Sequence, residues 1–547
     1  VRRGYRAAVG PFLDSGWKRG LVFLILCFAV LASVSLVPLG RVPVKMLPFD
    51  NKDEFQVVVD MPEGTTLETT DRAVRDFERT LRDVPEVTNF TSYVGDASPM
   101  DFNGMVRQYY LREGGNVADI RVSLVSRDRR VMQSHEIVLR LRERLEAVAR
   151  RHGAAMKLVE VPPGPPVLST IVAELYGPPG TGYGELVSAA KRLRTHLSAE
   201  PFVVDVDDTT ETARRRLSFD LDREKAGLHG VTARHVTRTL RTALSGAEPA
   251  AVHEAGERNP LSVRVILPRS RRSGIPELSE LSVRGASGAM VPLGELGVFR
   301  EVPVSQPIYH KNLERVVYVK ANMAGRSPVP AVLSLRRRVR GDGRWPEGIR
   351  AVWSGEGEWK ITLRVFRDLG IAFAAALLGI YILLTVQTRS FLMPVIILLA
   401  VPVTLVAILP GFWLLNGAAG RPVGPFQDPV FFTATSMIGM IALGGIAIRD
   451  SLVFVDFIHD GLDRGDSLRE AVLQSGVVRF RPILLTTLTT ALGVWPITLD
   501  PIFSGLAWAL IFGLTASTLF TLLIVPLTYY AFYSDSVRES GSRTARS

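Results

Sequence analysis

Six long apolar segments constrain the fold of this 547-residue chain more than any other feature. A helix that crosses the hydrocarbon core of a bilayer needs about 20 apolar residues, and each segment reaches or approaches that length. One such segment could be a buried core helix, but six in one chain predict a membrane domain of six transmembrane helices. We expect these spans at about 20–40, 368–387, 390–415, 429–458, 482–499 and 505–533.

Basic residues between the apolar segments predict the orientation, because Lys and Arg concentrate in short cytoplasmic loops. If the helices alternate in direction, all four basic segments lie on one side, and the short loops opposite carry only Arg421. The basic residues are Arg2, Arg3, Arg6, Lys18 and Arg19; Arg389; Arg464, Arg469, Arg479 and Arg481; and Arg538, Arg543 and Arg546. We therefore place residues 41–367 outside the cytoplasm, in the periplasm if the cell is Gram-negative.

The external stretch alternates strand and helix patterns twice. Strands are predicted near 55–61, 87–94, 120–125, 156–161, 171–176, 203, 316–322 and 349–353, and helices near 65–84, 134–151, 186–197, 232–244 and 330–339. The proline cluster 162–166 breaks the pattern, and a turn-rich stretch at about 216–300 interrupts the second repeat. These patterns predict two small α+β units, the second containing an inserted subdomain.

Several function classes lack their sequence signatures. No G-x-x-x-x-G-K-[ST] occurs, so we do not expect ATP to supply the energy, and no H-E-x-x-H or G-x-S-x-G occurs either. We expect no cofactor and an ion gradient as the energy source. The net charge of +11 comes without a basic stripe or zinc spacing, so we expect no nucleic-acid partner. A single cysteine, Cys27, excludes disulfides within the chain.

The fourth apolar segment contains charges that a bilayer disfavours by several kcal/mol. Arg449 and Asp456 are seven residues apart and share a helical face, whereas Asp450 lies about 100° away. An arginine beside carboxylates can change partner when a carboxylate is protonated, which is the physical basis of a proton relay. The alternative for Asp456 is simple solvation near the cytoplasmic end of the helix.

The fifth segment adds hydroxyl and small residues at helical spacing: Thr486, Thr490 and Gly493, with Thr487 beside them. Such residues let helices approach closely, so packing and a role in the relay both remain open for each threonine.

Four stretches resemble the second half of resistance-nodulation-division (RND) exporters. They are 439–457 (GMIALGGIAIRDSLVFVDF), 479–487 with 492–494 (RFRPILLTT and LGV), 45–66 (KMLPFDNKDEFQVVVDMPEGTT) and 219–231 (FDLDREKAGLHGV). The resemblance implies a proton antiporter, not an enzyme, in the bacterial inner membrane. It also implies a homotrimer that contacts membrane lipid and works with a periplasmic adaptor protein and an outer-membrane channel. Its large periplasmic domain would consist of ferredoxin-like porter subdomains and a docking subdomain.

The resemblance also implies domain boundaries. They are 1–19, a cytoplasmic segment; 20–40, a transmembrane helix; 41–164, the first porter subdomain; 165–215 and 301–365, the two parts of the second porter subdomain; 216–300, the docking subdomain; 366–533, five transmembrane helices; and 534–547, a cytoplasmic tail.

The resemblance assigns roles to particular residues. Arg449 stands where many members carry a relay lysine, and Asp450 where asparagine is common. Arg479 and Thr486 match positions associated with proton transfer. The implied relay is therefore Arg449, Asp450, Asp456, Arg479, Thr486 and Thr487.

One departure concerns what the chain lacks. RND exporters have twelve spans in two similar halves, and paired aspartates in the first half take up the proton. No adjacent Asp-Asp occurs in an apolar segment here, and the sequence starts at Val1 rather than Met. We expect a missing N-terminal half, on the same or another polypeptide. A non-transporting scaffold or assembly protein is the alternative.

The substrate is expected to be an amphiphilic small molecule. The loop after the second predicted strand contains aromatic and thioether side chains that could line an adaptable pocket: Phe90, Tyr93, Met100, Phe102 and Met105. Core packing explains them equally well. Export of metal ions or lipids remains open, since methionine is also a soft metal ligand.

Overall fold

The computed structural model describes residues 2–162, 164 and 166–544. Two of the prolines in the predicted break at 162–166, and Arg546 of the tail, lie outside the described residues. The chain divides into two compact units, one made of residues 1–210 and 308–547 and the other of residues 211–307.

Two helices open the chain, α1 (Arg2–Leu13) and α2 (Gly16–Ser35). Residues 1–19 were expected to form a cytoplasmic segment, and no helix was predicted where α1 lies. One face of α1 buries Tyr5, Val9 and Leu13 in the core of the helical bundle, and the Tyr5 hydroxyl donates to the Leu522 carbonyl at 2.7 Å. An apolar stripe at positions i, i+4 and i+8 predicts such a face, although the segment is much shorter and more polar than a membrane span.

The first subdomain is a four-stranded antiparallel sheet in the order β2-β3-β1-β4 with two helices on one face. Its elements are β1 (Glu54–Asp60), α3 (Leu67–Arg82), β2 (Val87–Val94), α4 (Phe102–Arg107), β3 (Val117–Leu124), α5 (Ser134–His152) and β4 (Ala155–Glu160). Val57, Phe77, Ile120 and Leu145 are fully buried in its core. The sequence of elements and the strand order are those of a split β-α-β, or ferredoxin-like, sheet.

The second subdomain repeats this topology in the order β16-β5-β15-β6. Its elements are β5 (Ile171–Tyr176), α6 (Tyr183–Ser198), β6 (Val203–Asp208), the hairpin β13 (His310–Lys311) and β14 (Glu314–Arg315), β15 (Val317–Met323), α11 (Pro328–Gly341) and β16 (Arg350–Val352). It has a core of its own around Leu175, Leu193, Val319 and Leu335. Both predicted α+β patterns are therefore present as separate packed sheets.

Residues 211–307 are inserted between β6 and β15 and form the other unit. Its elements are β7 (Arg215–Leu221), α7 (Arg223–Leu228), α8 (Ala233–Leu244), β8 (Ala247–Val252), β9 (Leu261–Val265), α9 (Ile275–Ser279), β10 (Ser282–Arg284), β11 (Met290–Pro292), α10 (Leu293–Leu296) and β12 (Gly297–Pro303). β7 pairs with β12, and Val231, Val283 and Leu293 lie in a small core.

Within the described part of the chain, six helices are long and apolar enough to cross a membrane. Besides α2, the helices are α12 (Glu358–Thr388), the nearly continuous α13 (Leu392–Leu398) and α14 (Ala400–Ala419), α15 (Ala434–Asp463), α16 (Leu468–Val494) and α17 (Ser504–Thr544). A short hairpin, β17 (Arg421–Val423) and β18 (Phe426–Asp428), precedes α15.

Most of these helices extend beyond the apolar segments. The fifth was expected to begin at Pro482, yet α16 begins at Leu468, where Ser467 accepts a hydrogen bond from the backbone of Glu470. α12 begins ten residues before the expected 368, and α15 runs to Asp463 rather than 458. Hydropathy measures only the apolar length, whereas the backbone hydrogen bonds of a helix continue into water until a cap ends them.

Candidate functional site

The charged segment of the sequence lies in the middle of α15. Thr433 and Ser436 form a capping box at the start of this helix, and its buried stripe includes Gly439, Leu443 and Ala447. Gly439 lets α17 approach closely, since a Cβ there would lie 2.9 Å from the Leu506 carbonyl oxygen. Position 449 is about 200° around the helix from 447, so its side chain points away from this packed face.

Arg449 and Asp450 form an ion pair in the middle of α15. Arg449 Nε lies 3.6 Å from Asp450 Oδ1. The arginine side chain is 61% exposed, whereas the aspartate side chain is 16% exposed. The carboxylate is thus held within the bundle while its cation extends from the outer surface of the bundle.

Arg479 brings a second cation to this region from α16. Its guanidinium carbon lies 3.8 Å from the ring centroid of Phe457 on α15, and the guanidinium also interacts electrostatically with Asp450. Arg479 Nε is buried and has no hydrogen-bond partner. Two guanidinium groups therefore share one carboxylate, which leaves the cluster with a net positive charge.

Among the described residues, no ion pair or side-chain hydrogen bond joins the other predicted relay residues to Arg449, Asp450 or Arg479. Asp456 is exposed, and no ion pair involving it occurs among the residues that the structure describes. The Thr486 hydroxyl donates to its own helix, to the Pro482 carbonyl at 2.9 Å. Thr487 is buried and hydrogen-bonds to the Thr518 hydroxyl on α17, and a Cβ at Gly493 would meet nothing within 4 Å. Thr487 thus joins two helices, and Gly493 makes no close helix contact.

Phe90 and Tyr93 lie within β2, not in the loop after it as expected. The residues from Val87 to Val94 pair with β3, so the strand continues to the end of the predicted run. Phe90 is half-buried against the core of the first subdomain, while Tyr93 stands opposite Asp119. For Phe90 the packing interpretation is therefore favoured.

Met100, Phe102 and Met105 lie together on the loop and the short helix α4. The exposed fractions are 62% for Met100, 62% for Phe102 and 43% for Met105. Asp101 caps the helix by accepting from the Gly104 backbone N–H at 2.5 Å and forms a salt bridge with Arg121 at 2.7 Å. The loop and the capped short helix therefore present three apolar side chains to solvent.

Sequence reasoning missed a buried charge network between the two sheets. Lys157 Nζ on β4 lies 2.9 Å from Asp60 Oδ2 and 2.7 Å from Asp207 Oδ2 on β6. Burial alone would raise the pKa of Asp60 and of Asp207, but the neighbouring cations together outweigh it and hold both pKa values below their usual range: Lys157 acts on both carboxyls, Arg112 also on Asp60 and Lys320 also on Asp207. The signal was available, because these charges interrupt strands that are otherwise apolar.

A second missed cluster lies where the chain leaves α2 and approaches the first sheet. Lys45 Nζ lies 3.2 Å from the centroid of the Phe49 ring, which stacks on His135 at 3.7 Å. His135 Nδ1 in turn lies 2.8 Å from Glu160 Oε1. Burial lowers the pKa of Lys45, and the nearby carboxylates oppose this shift only in part.

The comparison with known families decides what this arrangement belongs to. The sequence profile of the AcrB/AcrD/AcrF family matches residues 1–533. The chain belongs to this family. Its relatives are RND transporters, so the resemblance drawn from residues 439–457 and the other stretches is confirmed.

Characterised relatives of this AcrB/AcrD/AcrF chain include both metal and drug resistance proteins. The nickel and cobalt resistance protein CnrA of Cupriavidus metallidurans is 26% identical over 370 residues, which cover 66% of this chain and 32% of CnrA. The multidrug resistance protein MdtC of Serratia proteamaculans is 22% identical over 548 residues, covering 97% of this chain and 48% of MdtC. The chain therefore spans at most about half the length of these relatives.

The solved structure of a heavy metal efflux pump, in its second crystal form, shares the fold of this AcrB/AcrD/AcrF chain. It superposes with a TM-score of 0.78 at 19% identity and covers 97% of this chain and 51% of that chain. At this identity the likeness concerns the fold alone.

Proposed function

We propose that this chain acts as the C-terminal half of a proton-driven RND exporter that moves amphiphilic small molecules out of the periplasm or inner membrane. The observation that carries the proposal is the position of Arg449, a cation 61% exposed on the outer surface of an apolar helix bundle. An arginine at the centre of a bilayer costs at least about 2.5–3.5 kcal/mol, so such a residue is expected to face protein or a water-filled cavity rather than lipid.

The charge balance explains what must cover Arg449. Asp450 can neutralise only one of the two guanidinium groups near it, those of Arg449 and Arg479. We infer that a second set of helices, on this or another polypeptide, supplies further carboxylates to this face. When one of these carboxylates is protonated it no longer attracts Arg449, so the side chain turns back toward Asp450. This exchange of partners would couple proton entry to movement of α15.

The surrounding architecture suits an exporter of this type. The two ferredoxin-like sheets would be the periplasmic porter subdomains, and residues 211–307 the docking subdomain. We propose that the completed protein is a homotrimer in the inner membrane, surrounded by lipid, and that a periplasmic adaptor and an outer-membrane channel complete the export path. The proton gradient would be its only energy source.

Two substrate classes have specific support. The exposed Met100, Phe102 and Met105 form an apolar, deformable surface that suits amphiphilic molecules. Metal ions are the second candidate, because one relative is named for resistance to nickel and cobalt and thioethers bind soft metals. Amphiphiles are the first candidate because the aromatic residue Phe102 lies between Met100 and Met105 in the sequence.

The test is proton-coupled transport by the completed exporter. The chain is expressed with its companion half in a host lacking its own exporters, and resistance is compared for wild type, Arg449→Ala and Arg464→Ala. Arg464 is the matched control, since it is exposed and follows the end of α15. We expect Arg449→Ala to abolish resistance and substrate-driven proton flux at unchanged expression and trimer content. Wild-type resistance in Arg449→Ala would remove this residue from the mechanism, and wild-type protein without proton flux would favour a scaffold.

A further inference from the structure

Two unpaired sheet edges meet between the subdomains. β4 is an edge strand of the first sheet and β6 an edge strand of the second. Neither sheet includes a strand of the other in its ladder, so the described strands form two separate sheets. Each sheet also has its own hydrophobic core. A contact of this kind can open without breaking either sheet or the core of either sheet, and it separates only the small apolar cluster of Leu139, Ala324 and Val423 that spans the joint.

Charged side chains hold the two edges together. Lys157 on β4 reaches Asp207 on β6 at 2.7 Å, and Arg142 on α5 reaches Asp205 on β6 at 2.6 Å. In each pair the cation belongs to the first subdomain and the carboxylate to the second. The Arg142 and Asp205 side chains are 5% and 1% exposed, so water screens this attraction little.

The backbone of β6 is distorted where it presents Asp205. The pairing of β6 with β15 shifts register between Lys320 and Asn322, and Asp205 has a φ of 55°. A bulge of this kind re-aims a side chain, and a non-glycine residue in the left-handed region stores strain that its surroundings must hold in place. The salt bridge to Arg142 is one such restraint.

Each charge in the two pairs also has a second partner within its own subdomain. Lys157 contacts Asp60 at 2.9 Å, and Arg142 lies 3.6 Å from Glu146. On the other side Asp207 lies 4.0 Å from Lys320, and Asp205 accepts a hydrogen bond from Asn322 Nδ2 at 3.1 Å. Separating the subdomains therefore leaves three of the four groups beside an opposite charge and Asp205 with the Asn322 amide, which lowers the penalty of breaking a buried ion pair.

A mainly apolar cavity with several charged and polar lining residues lies beside this joint. It has a volume of about 100 Å³ and is lined by Arg142 and Glu160 of the first subdomain and Asp205 and Asn322 of the second. Three buried atoms of its lining residues have no hydrogen-bond partner: His135 Nε2, Arg142 Nε and Glu160 Oε2. The space suits a few water molecules and is smaller than a pocket for a drug-sized ligand.

We propose that the β4–β6 joint is a charge latch, in which the pairs Lys157–Asp207 and Arg142–Asp205 hold the two subdomains closed and exchange for partners within each subdomain when the joint opens. The inference rests on the proposed function in one respect: the joint would open in order to expose the space between the sheets during transport. The latch itself is a property of the described subdomains.

Distance measurements between the subdomains test the latch without requiring transport. Spin labels are attached at Arg144→Cys on α5 and Lys191→Cys on α6, both exposed positions, in the full chain carrying Cys27→Ser. We expect one narrow distance distribution for the intact latch. Asp205→Asn and Asp207→Asn together should add a second population at longer distance, and each single variant should show a smaller share of it.

Asp208→Asn is the matched control, because Asp208 lies on the same strand but pairs within its own subdomain, with Arg194 at 3.0 Å. This variant should keep the narrow distribution. An unchanged distribution in both single variants and in the double variant would overturn the latch, and so would equal broadening in the Asp208→Asn control. If the double variant fails to fold, the single variants decide. Loss of transport with intact latch behaviour would count against the proposed function alone.

Discussion

The guanidinium of Arg479 lies over the ring of Phe457, 3.8 Å from its centroid, and so joins α16 to α15 beside Asp450. An aromatic ring attracts a cation without accepting a proton from it, so this contact leaves the single carboxylate of the cluster shared by two arginines. The charge balance of the cluster therefore depends on Asp450.

Replacing that carboxylate tests its share in the balance. Asp450→Asn should lower proton-coupled transport, by roughly tenfold for each 1.4 kcal/mol of lost charge stabilisation, because Arg449 loses the carboxylate 3.6 Å away. Initial rates of substrate-driven proton flux in vesicles that contain the completed exporter provide the measurement. Asp450→Glu keeps the charge and should retain most of the rate. Equal rates in wild type and Asp450→Asn would show that the carboxylate plays no part in coupling.

The hydroxyl contact between α16 and α17 should contribute modestly to stability. Thr487→Val removes the hydrogen bond to Thr518, and side-chain hydrogen bonds between membrane helices are worth about 0.6 kcal/mol on average. Unfolding in mixed micelles, measured for both single variants and the double variant with Thr518→Val, gives the coupling energy. Thr489→Val is the control, because the Thr489 hydroxyl bonds only to carbonyls of its own helix. A coupling energy of zero would contradict the contact.

Two aromatic residues of the first subdomain, Phe90 and Phe102, should differ in their contribution to stability. Phe90→Ala should destabilise the protein by about 2 kcal/mol, since half of a phenylalanine side chain is buried against the core. Phe102→Ala should change stability by less than about 0.5 kcal/mol because its side chain is 62% exposed. Thermal unfolding checks both values.

Resistance profiles of the same variants address the substrate. Phe102→Ala should lower resistance to amphiphilic dyes and leave nickel and cobalt resistance unchanged, whereas Met100→Ala with Met105→Ala should lower metal resistance if metals are carried. Val131→Ala is the control, an exposed apolar residue of the same subdomain outside this loop. Unaltered resistance to every compound in all variants would leave the loop with a structural role only.

Acid should weaken the network around Lys157. The pKa values of Asp60 and Asp207 are lowered in the folded protein because Lys157, together with Arg112 beside Asp60 and Lys320 beside Asp207, outweighs the effect of burial. Their stabilising contribution is therefore complete above the unfolded pKa of about 4 and is lost as the pH falls through the lower folded values. The melting temperature should fall more steeply below about pH 4 in wild type than in Asp207→Asn. Asp128→Asn, at an exposed position, should melt like wild type at each pH, and equal pH profiles in wild type and Asp207→Asn would contradict the network.

The order of strands and helices in the external domain could be predicted from the sequence because each element has a clear apolar period. Val87–Val94 and Ile171–Tyr176 have the predicted bounds. The ends of the helices were harder to predict from the sequence. α16 continues for fourteen residues before Pro482 because it is capped at Ser467 and not at the edge of the apolar segment.

The candidate functional site could also be predicted from the sequence only in part. Hydropathy identified Arg449 and Asp450 as unusual, because a charge inside an apolar segment can be recognised from the sequence alone. The sequence could not show that Thr487 would bond across helices while Thr486 bonds within its own helix, since two adjacent positions on a helix face different neighbours. Nor could it separate Phe90 from Phe102, one packed against the core and the other exposed.

The sequence alone determined that this protein has six membrane-length helices, two repeated α+β units and a charged centre in one helix, because each follows from local composition and periodicity. Only the tertiary structure decided which charges meet. Lys157 and Asp207 are fifty residues apart and belong to different sheets, yet they lie 2.7 Å from each other. A contact of this kind depends on how two independently folded sheets meet along their edges, and no pattern within either segment specifies it.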